Sequence, residues 1–135
     1  MREGDRRIRC SDLNNELRTA NAKLNAALIR EANAQNTTRF GPSDISRYEY
    51  QITQINAELF ALGIIGFGGK NPIGLATAGE VARLESRKRK LQEKIAQRQR
   101  DIQAAKDELI EVEQIIELQK DIIAQTVADK NQLGC

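Results

Sequence analysis

The chain has 135 residues, a net charge of +2, 4 % aromatic residues, no Trp and no His. That length holds at most one domain, and the scarcity of bulky side chains argues against a compact globular core. Without imidazole, His general-base catalysis, a serine-protease-type triad and His-containing metal sites are excluded, and two Cys are too few for a four-thiolate zinc site.

No catalytic residue, cofactor or metal is therefore expected, and the chain reads as a non-enzymatic protein. Residues 1–10 form a charged N-terminal tail that no apolar run follows, so no export signal is read. Cys10-Ser11 resembles the start of a mature lipoprotein, yet Arg7, Ile8 and Arg9 stand where that processing needs small apolar residues. No compartment is assigned.

A first helix starts at Ser11-Asp12, both good N-cap types, and repeats Leu13, Leu17, Ala20, Leu24, Ala27 and Ala34 at heptad spacing, with Leu28 widening the stripe. The stretch from Asn36 to Pro42 ends it: Gly41 leaves the helical region readily, and Pro42 lacks a donor and disfavours the α conformation of the residue before it. Ser43-Asp44 caps a second, regular segment through Ile45, Tyr48, Ile52, Ile55, Leu59 and Leu62. Residues 11–62 are thus a helical arm broken near Gly41-Pro42. Residues 63–78 are a Gly-rich apolar tip, and residues 79–131 one long helix of roughly 50 residues and some 75 Å. Its stripe is Val81, Leu84, Leu91, Ile95, Ile102, Ala105, Leu109, Val112, Ile116 and Ile123, and residues 132–135 are a tail.

The arm matches the long helix in length, which predicts that the two fold back on each other. The fold class is all-α: a long antiparallel coiled-coil hairpin with a broken N-terminal arm and a Gly-rich apolar tip, assembled into an oligomeric bundle. Such a hairpin brings Cys10 and Cys135 to the end opposite the tip, where a disulfide would close nearly the whole chain. In the absence of an export signal, two incidental thiols in a reducing compartment are the preferred reading, with the Cys10–Cys135 disulfide as the alternative. Lys88, Arg98 and Gln119 interrupt the heptads and would fix register, with Arg98 expected beside Asp44.

Between Leu109 and Ile123 the long helix carries more apolar residues than one partner helix covers. Leu109, Ile110, Val112, Ile115, Ile116, Leu118, Ile122 and Ile123 are accordingly assigned to an oligomer interface, with further copies and other protein subunits as the partners.

The tip offers Phe60, Ile64, Ile65, Phe67, Ile73 and Leu75 for packing or membrane contact. It is not a phosphate-binding loop: Ile64 stands where the first Gly belongs, and Asn71 where Ser or Thr follows the Lys. The dinucleotide pattern fails as well, because Asn71 replaces its last Gly. Gly interleaved with Ile, Phe and Leu resembles membrane-inserting fusion peptides, and Arg83, Arg87, Lys88, Arg89, Lys90, Lys94, Arg98 and Arg100 make a basic collar that suits an anionic membrane surface. The preferred reading is that the glycines allow a tight turn while the apolar residues pack against neighbouring subunits. From Leu59 to Gly69 the chain is too short to span a bilayer as a helix. Nucleic acid is not expected as a partner, since the run Ser86 to Lys90 spreads around the helix, Glu85 and Glu93 dilute it, and no aromatic residue lies in it. Asn36-Thr37-Thr38 fits the glycosylation pattern by accident.

The leading expectation is a coiled-coil structural or assembly protein within a larger complex, such as a phage particle or bacterial envelope apparatus. A membrane-active protein that inserts its tip is the alternative. A third is a holdase chaperone similar in outline to prefoldin, which also joins two coiled-coil helices through a central segment. That family has β-hairpins there, whereas this tip is Gly-dense without strand alternation.

Overall fold

A computed structural model describes residues 2–62 and 74–135, with the backbone alone for 74–77. Two α-helices pack against each other: α1, Glu3–Ala61, and α2, Gly74–Leu133. Among the described residues there is no strand. Contacts divide the chain into two compact units, the first made of Met1–Asn36 with Ala105–Cys135 and the second of Thr37–Ala104.

The all-α reading holds, but several boundaries move. Residues 3–10, read as a tail, are the first turns of α1. Glu3 and Asp5 lie at the positive end of the helix dipole, and Glu3 is bound by Arg6 at 2.8 Å and Arg7 at 3.5 Å, one turn on. Cys10 is therefore inside a helix rather than ahead of one. At the other helix, α2 begins at Gly74 instead of residue 79 and runs to Leu133. A Cβ at Gly79 would meet nothing within 4 Å, so that glycine costs helix propensity without marking a turn.

The break near Gly41-Pro42 is absent, because α1 runs through both residues. Gly41 is a seam residue, buried seven positions after Ala34 and seven before Tyr48. A Cβ there would come to 2.6 Å from Cγ1 and 2.7 Å from Cδ1 of Ile102, so glycine lets α2 approach closely. Pro42 sits on the exposed side. An interior proline costs a helix about 3 kcal/mol, but in the same unit Ile55, Leu59, Leu84 and Leu91 form a buried cluster with Tyr48, Ile52, Leu62 and Val81 against it. Each fully buried Leu or Ile contributes about 1.5–3 kcal/mol. Four of them outweigh the proline, so packing prevails over local propensity.

The first unit has a thinner seam. On α1 it is Leu13, Ala20, Ala27 and Ala34; on α2 it is Ala105, Val112, Ile116, Gln119 and Thr126, of which Leu13 and Val112 are 0 % exposed. Ala27, Val112 and Ile116 form its buried cluster, with Leu24 and Ile115 packed on it. The buried Thr126 hydroxyl donates to the carbonyl of Ile122 at 2.7 Å and so carries no unmet hydrogen bond into the seam.

Cys10 and Cys135 are joined by a disulfide, Cα to Cα 5.9 Å, which corrects the reading of two incidental thiols. The end of α2 explains how. Gly134 adopts φ +73°, its N–H donates to Asn131 O, and the Cys135 N–H reaches back to Lys130 O at 2.9 Å. This is a Schellman closure, in which a left-handed glycine satisfies the last carbonyls and fixes the residue after it. Arg6 Nη1 adds a donor to the carbonyls of Leu133 at 3.2 Å and Gly134 at 3.5 Å. Cys135 is thereby held beside α1. A cross-link over a sequence separation of 125 lowers the entropy of the unfolded chain enough to stabilise by about 5 kcal/mol.

Candidate interaction surface

The residues expected at an oligomer interface fall into two groups. Val112 and Ile116 are consumed by the first unit's own cluster, Ile115 packs on that cluster, and Leu109 and Ile123 are half-buried. By contrast, Ile110 is 61 % exposed, Leu118 56 % and Ile122 37 %. Ile115, Leu118 and Ile122 are spaced by three and four residues, which places them along one side of α2.

Beside Ile122 lies an open groove lined on α1 by Asn15, Glu16, Thr19, Ala20 and Lys23 and on α2 by Gln119. Thr19 and Ala20 are too short to fill it. The groove thus combines an apolar wall at Ile122 with an amide and charged rims, a composition suited to side chains from another helix.

Sequence reasoning passed over Ile8 and Ile29, which are exposed on α1 in the same unit, as is Leu28. Their signal is an apolar residue at a position that the heptad does not use. In the second unit Phe40, Tyr50 and Phe60 are exposed. Of the expected tip residues, Phe60 lies on α1, Ile64, Ile65, Phe67 and Ile73 fall outside the described residues, and Leu75 belongs to α2 with its side chain outside the description. No helix among the described residues is long and apolar enough to cross a membrane.

Charge shapes each unit. In the first, Arg30 Nε donates to Glu108 at 2.5 Å and its Nη2 lies 3.6 Å from Glu111. The hydrogen bond from Arg30 holds the Glu108 carboxyl below the ordinary carboxylate range, against the opposing effect of desolvation. In the second, Arg98 lies 3.5 Å from Asp44 as the heptad register predicts, and 3.5 Å from Asp101. Lys94 and Arg47 both stack on the Tyr48 ring. Arg83, Arg87, Lys88, Arg89 and Lys90 form no ion pair among the described residues.

The described residues thus define a pair of long helices with exposed apolar and charged stretches on their outer faces. No family model, curated protein or solved structure matches the chain.

Proposed function

We propose that the chain is a non-enzymatic structural or assembly protein: an antiparallel two-stranded coiled coil that associates with further copies or packs into a larger complex. Pairing within each unit supports the antiparallel arrangement. In the first, Cys10 meets Cys135 and Arg30 meets Glu108; in the second, Asp44 meets Arg98 and Tyr48 meets Lys94. Partner numbers fall as α1 numbers rise, and apolar residues recur at three and four along both helices.

One observation carries the assembly reading. The seam of the first unit is already filled from within the chain, yet Ile110, Leu118 and Ile122 remain outside it. Apolar side chains spaced along a helix face beside a filled seam suit a further helix, as in bundles of more than two. A phage particle or a bacterial envelope apparatus is the kind of assembly such a subunit would serve.

The test is sedimentation equilibrium of the wild type and of a Leu118→Asp, Ile122→Asp double variant, with helicity followed by circular dichroism. Both replaced side chains are exposed, so helicity is expected to persist while mass falls toward that of a single chain. A wild type that stays monomeric at every concentration, or a variant that keeps the wild-type mass, would overturn association of further copies through this face.

A further inference from the structure

We propose that the Cys10–Cys135 disulfide is a thiol-exchange site, addressed by small thiol reductants, whose oxidation state sets the order of the first unit. The inference is independent of assembly, since everything it uses lies within that unit of one chain.

Access comes first. The bond borders an open groove lined by Arg6, Arg7, Cys10, Ser11, Asn14, Gly134 and Cys135. Cys135 is exposed and Cys10 half-buried. Among the described residues the groove leaves the bond open to an approaching thiolate, and access is one of the conditions that governs exchange.

Dependence comes second. From Cys10 to the nearest buried cluster, at Ala27, α1 rises about 25 Å. Over that stretch the fully buried α1 residues are Leu13 and Ala20, and the buried α2 residues toward the same end are Gln119 and Thr126. Ala20, Gln119 and Thr126 are short or polar and bury little apolar surface, which leaves Leu13 as the large fully buried side chain of that stretch, so the seam there contributes less than the four-residue Leu and Ile cluster of the second unit. Among the described residues, the hydrogen bonds across this end are those of Arg6 to Leu133 O and Gly134 O, made by a side chain that also serves Glu3. The disulfide does for this end what the Leu and Ile cluster does for the second unit.

The exchange balances as two displacements. A thiolate attacks Sγ of Cys135, forming a mixed disulfide there while the old bond breaks and Cys10 leaves as thiolate. A second thiolate attacks the sulfur of the small molecule in that mixed disulfide, which releases the Cys135 thiolate and a symmetrical small-molecule disulfide. Two thiols are oxidised, the protein bond takes up two electrons, and each protein thiolate takes a proton from water according to its pKa. The symmetrical disulfide drives the reverse course. Once the bond is open, the end beyond the cluster that Leu24 packs on is held chiefly by Leu13 and the half-buried Leu17 and Ile123, and the ends of both helices fray.

The probe is glutathione with its disulfide, at graded ratios. Thiols are counted by alkylation, and amide hydrogen exchange is followed by mass spectrometry in the same samples. Two thiols should appear together. Amides over residues 8–24 and 116–133 should lose protection by about a hundredfold or more, while those over 48–61 and 84–98 keep theirs, and re-oxidation should restore the first pattern. A Cys10→Ser, Cys135→Ser double variant should reproduce the reduced pattern without any reductant. Two free thiols with protection unchanged would make the bond a passenger; loss of protection in both units together would make it a global staple. A bond that resists glutathione until denaturant is added would not be an exchange site. Any of these three results overturns the proposal, and a chain found to be monomeric would pass or fail on the same readings.

Discussion

Gly41 separates two effects that sequence alone conflates. Replacing it with Ala improves helix propensity by about 1 kcal/mol, yet the new Cβ would press on Ile102, whose branched side chain is stiff in a helix. Overpacking of this kind costs about 1–3 kcal/mol. Gly41→Ala is thus expected to destabilise by roughly 1 kcal/mol in urea unfolding, and Ile102→Ala in the same chain should remove that penalty. A stabilised single variant would mean that the helices have room to spare at this point. The acidic partner of Arg30 gives a second measurement at this scale. Because the Glu108 carboxyl titrates below its ordinary value in the folded chain, its contribution is present above the unfolded pKa and is lost as pH falls through the folded one. Stability should decline below about pH 4, and Glu108→Gln should flatten that decline by lowering the curve near neutrality, only slightly because the pair is surface-exposed, while the two curves converge in acid.

α1 shows what heptad spacing reveals and what turn residues conceal. Both seams were legible, because Leu13, Ala20, Ala27 and Ala34 lie seven apart, as do Leu84, Leu91 and Ala105 with Arg98 between. The continuity of α1 was legible too. Gly41 and Tyr48 extend the same count of seven from Ala34, and that register prevails over the local break signal of the adjacent Gly and Pro. The ion pair of Arg98 with Asp44 followed from that register. The start of α1 did not, since Glu3 to Arg9 offer charge rather than an apolar repeat; the meeting of Cys10 with Cys135 followed from the matched lengths of the two arms, whereas their oxidation state has no signature in residue spacing. On the candidate surface, spacing identified the extra apolar residues but could not tell Ile115, which packs inward, from Leu118, which faces out. Pro42→Ala tests the continuity directly. In an uninterrupted helix it should stabilise by up to about 3 kcal/mol, measured as a shifted denaturant midpoint, whereas a chain broken there would be nearly indifferent.

Across the molecule, like charges gather in different units. Among the described residues, Arg83, Arg87, Lys88, Arg89 and Lys90 form no ion pair in the second, and Glu113, Glu117 and Asp121 form none in the first. Exposed charges of opposite sign on separate copies attract over about 10 Å at moderate ionic strength. Self-association driven in part by those stretches should weaken as sodium chloride is raised, with sedimentation as the readout. Association that strengthens with salt would instead point to the apolar residues around Leu118 as the main contribution.

The alanines of the first unit carry a further consequence. A row of Ala20, Ala27 and Ala34 holds few atoms able to attract a partner, but it sets how near a facing backbone can come. Such a row works as a gauge rather than as an adhesive: it admits or refuses a partner by volume. Substitutions there will therefore sort by size before polarity, with a hydroxyl on a small residue easier to accommodate than the methyl groups of a leucine, the reverse of the order in a core built from large side chains.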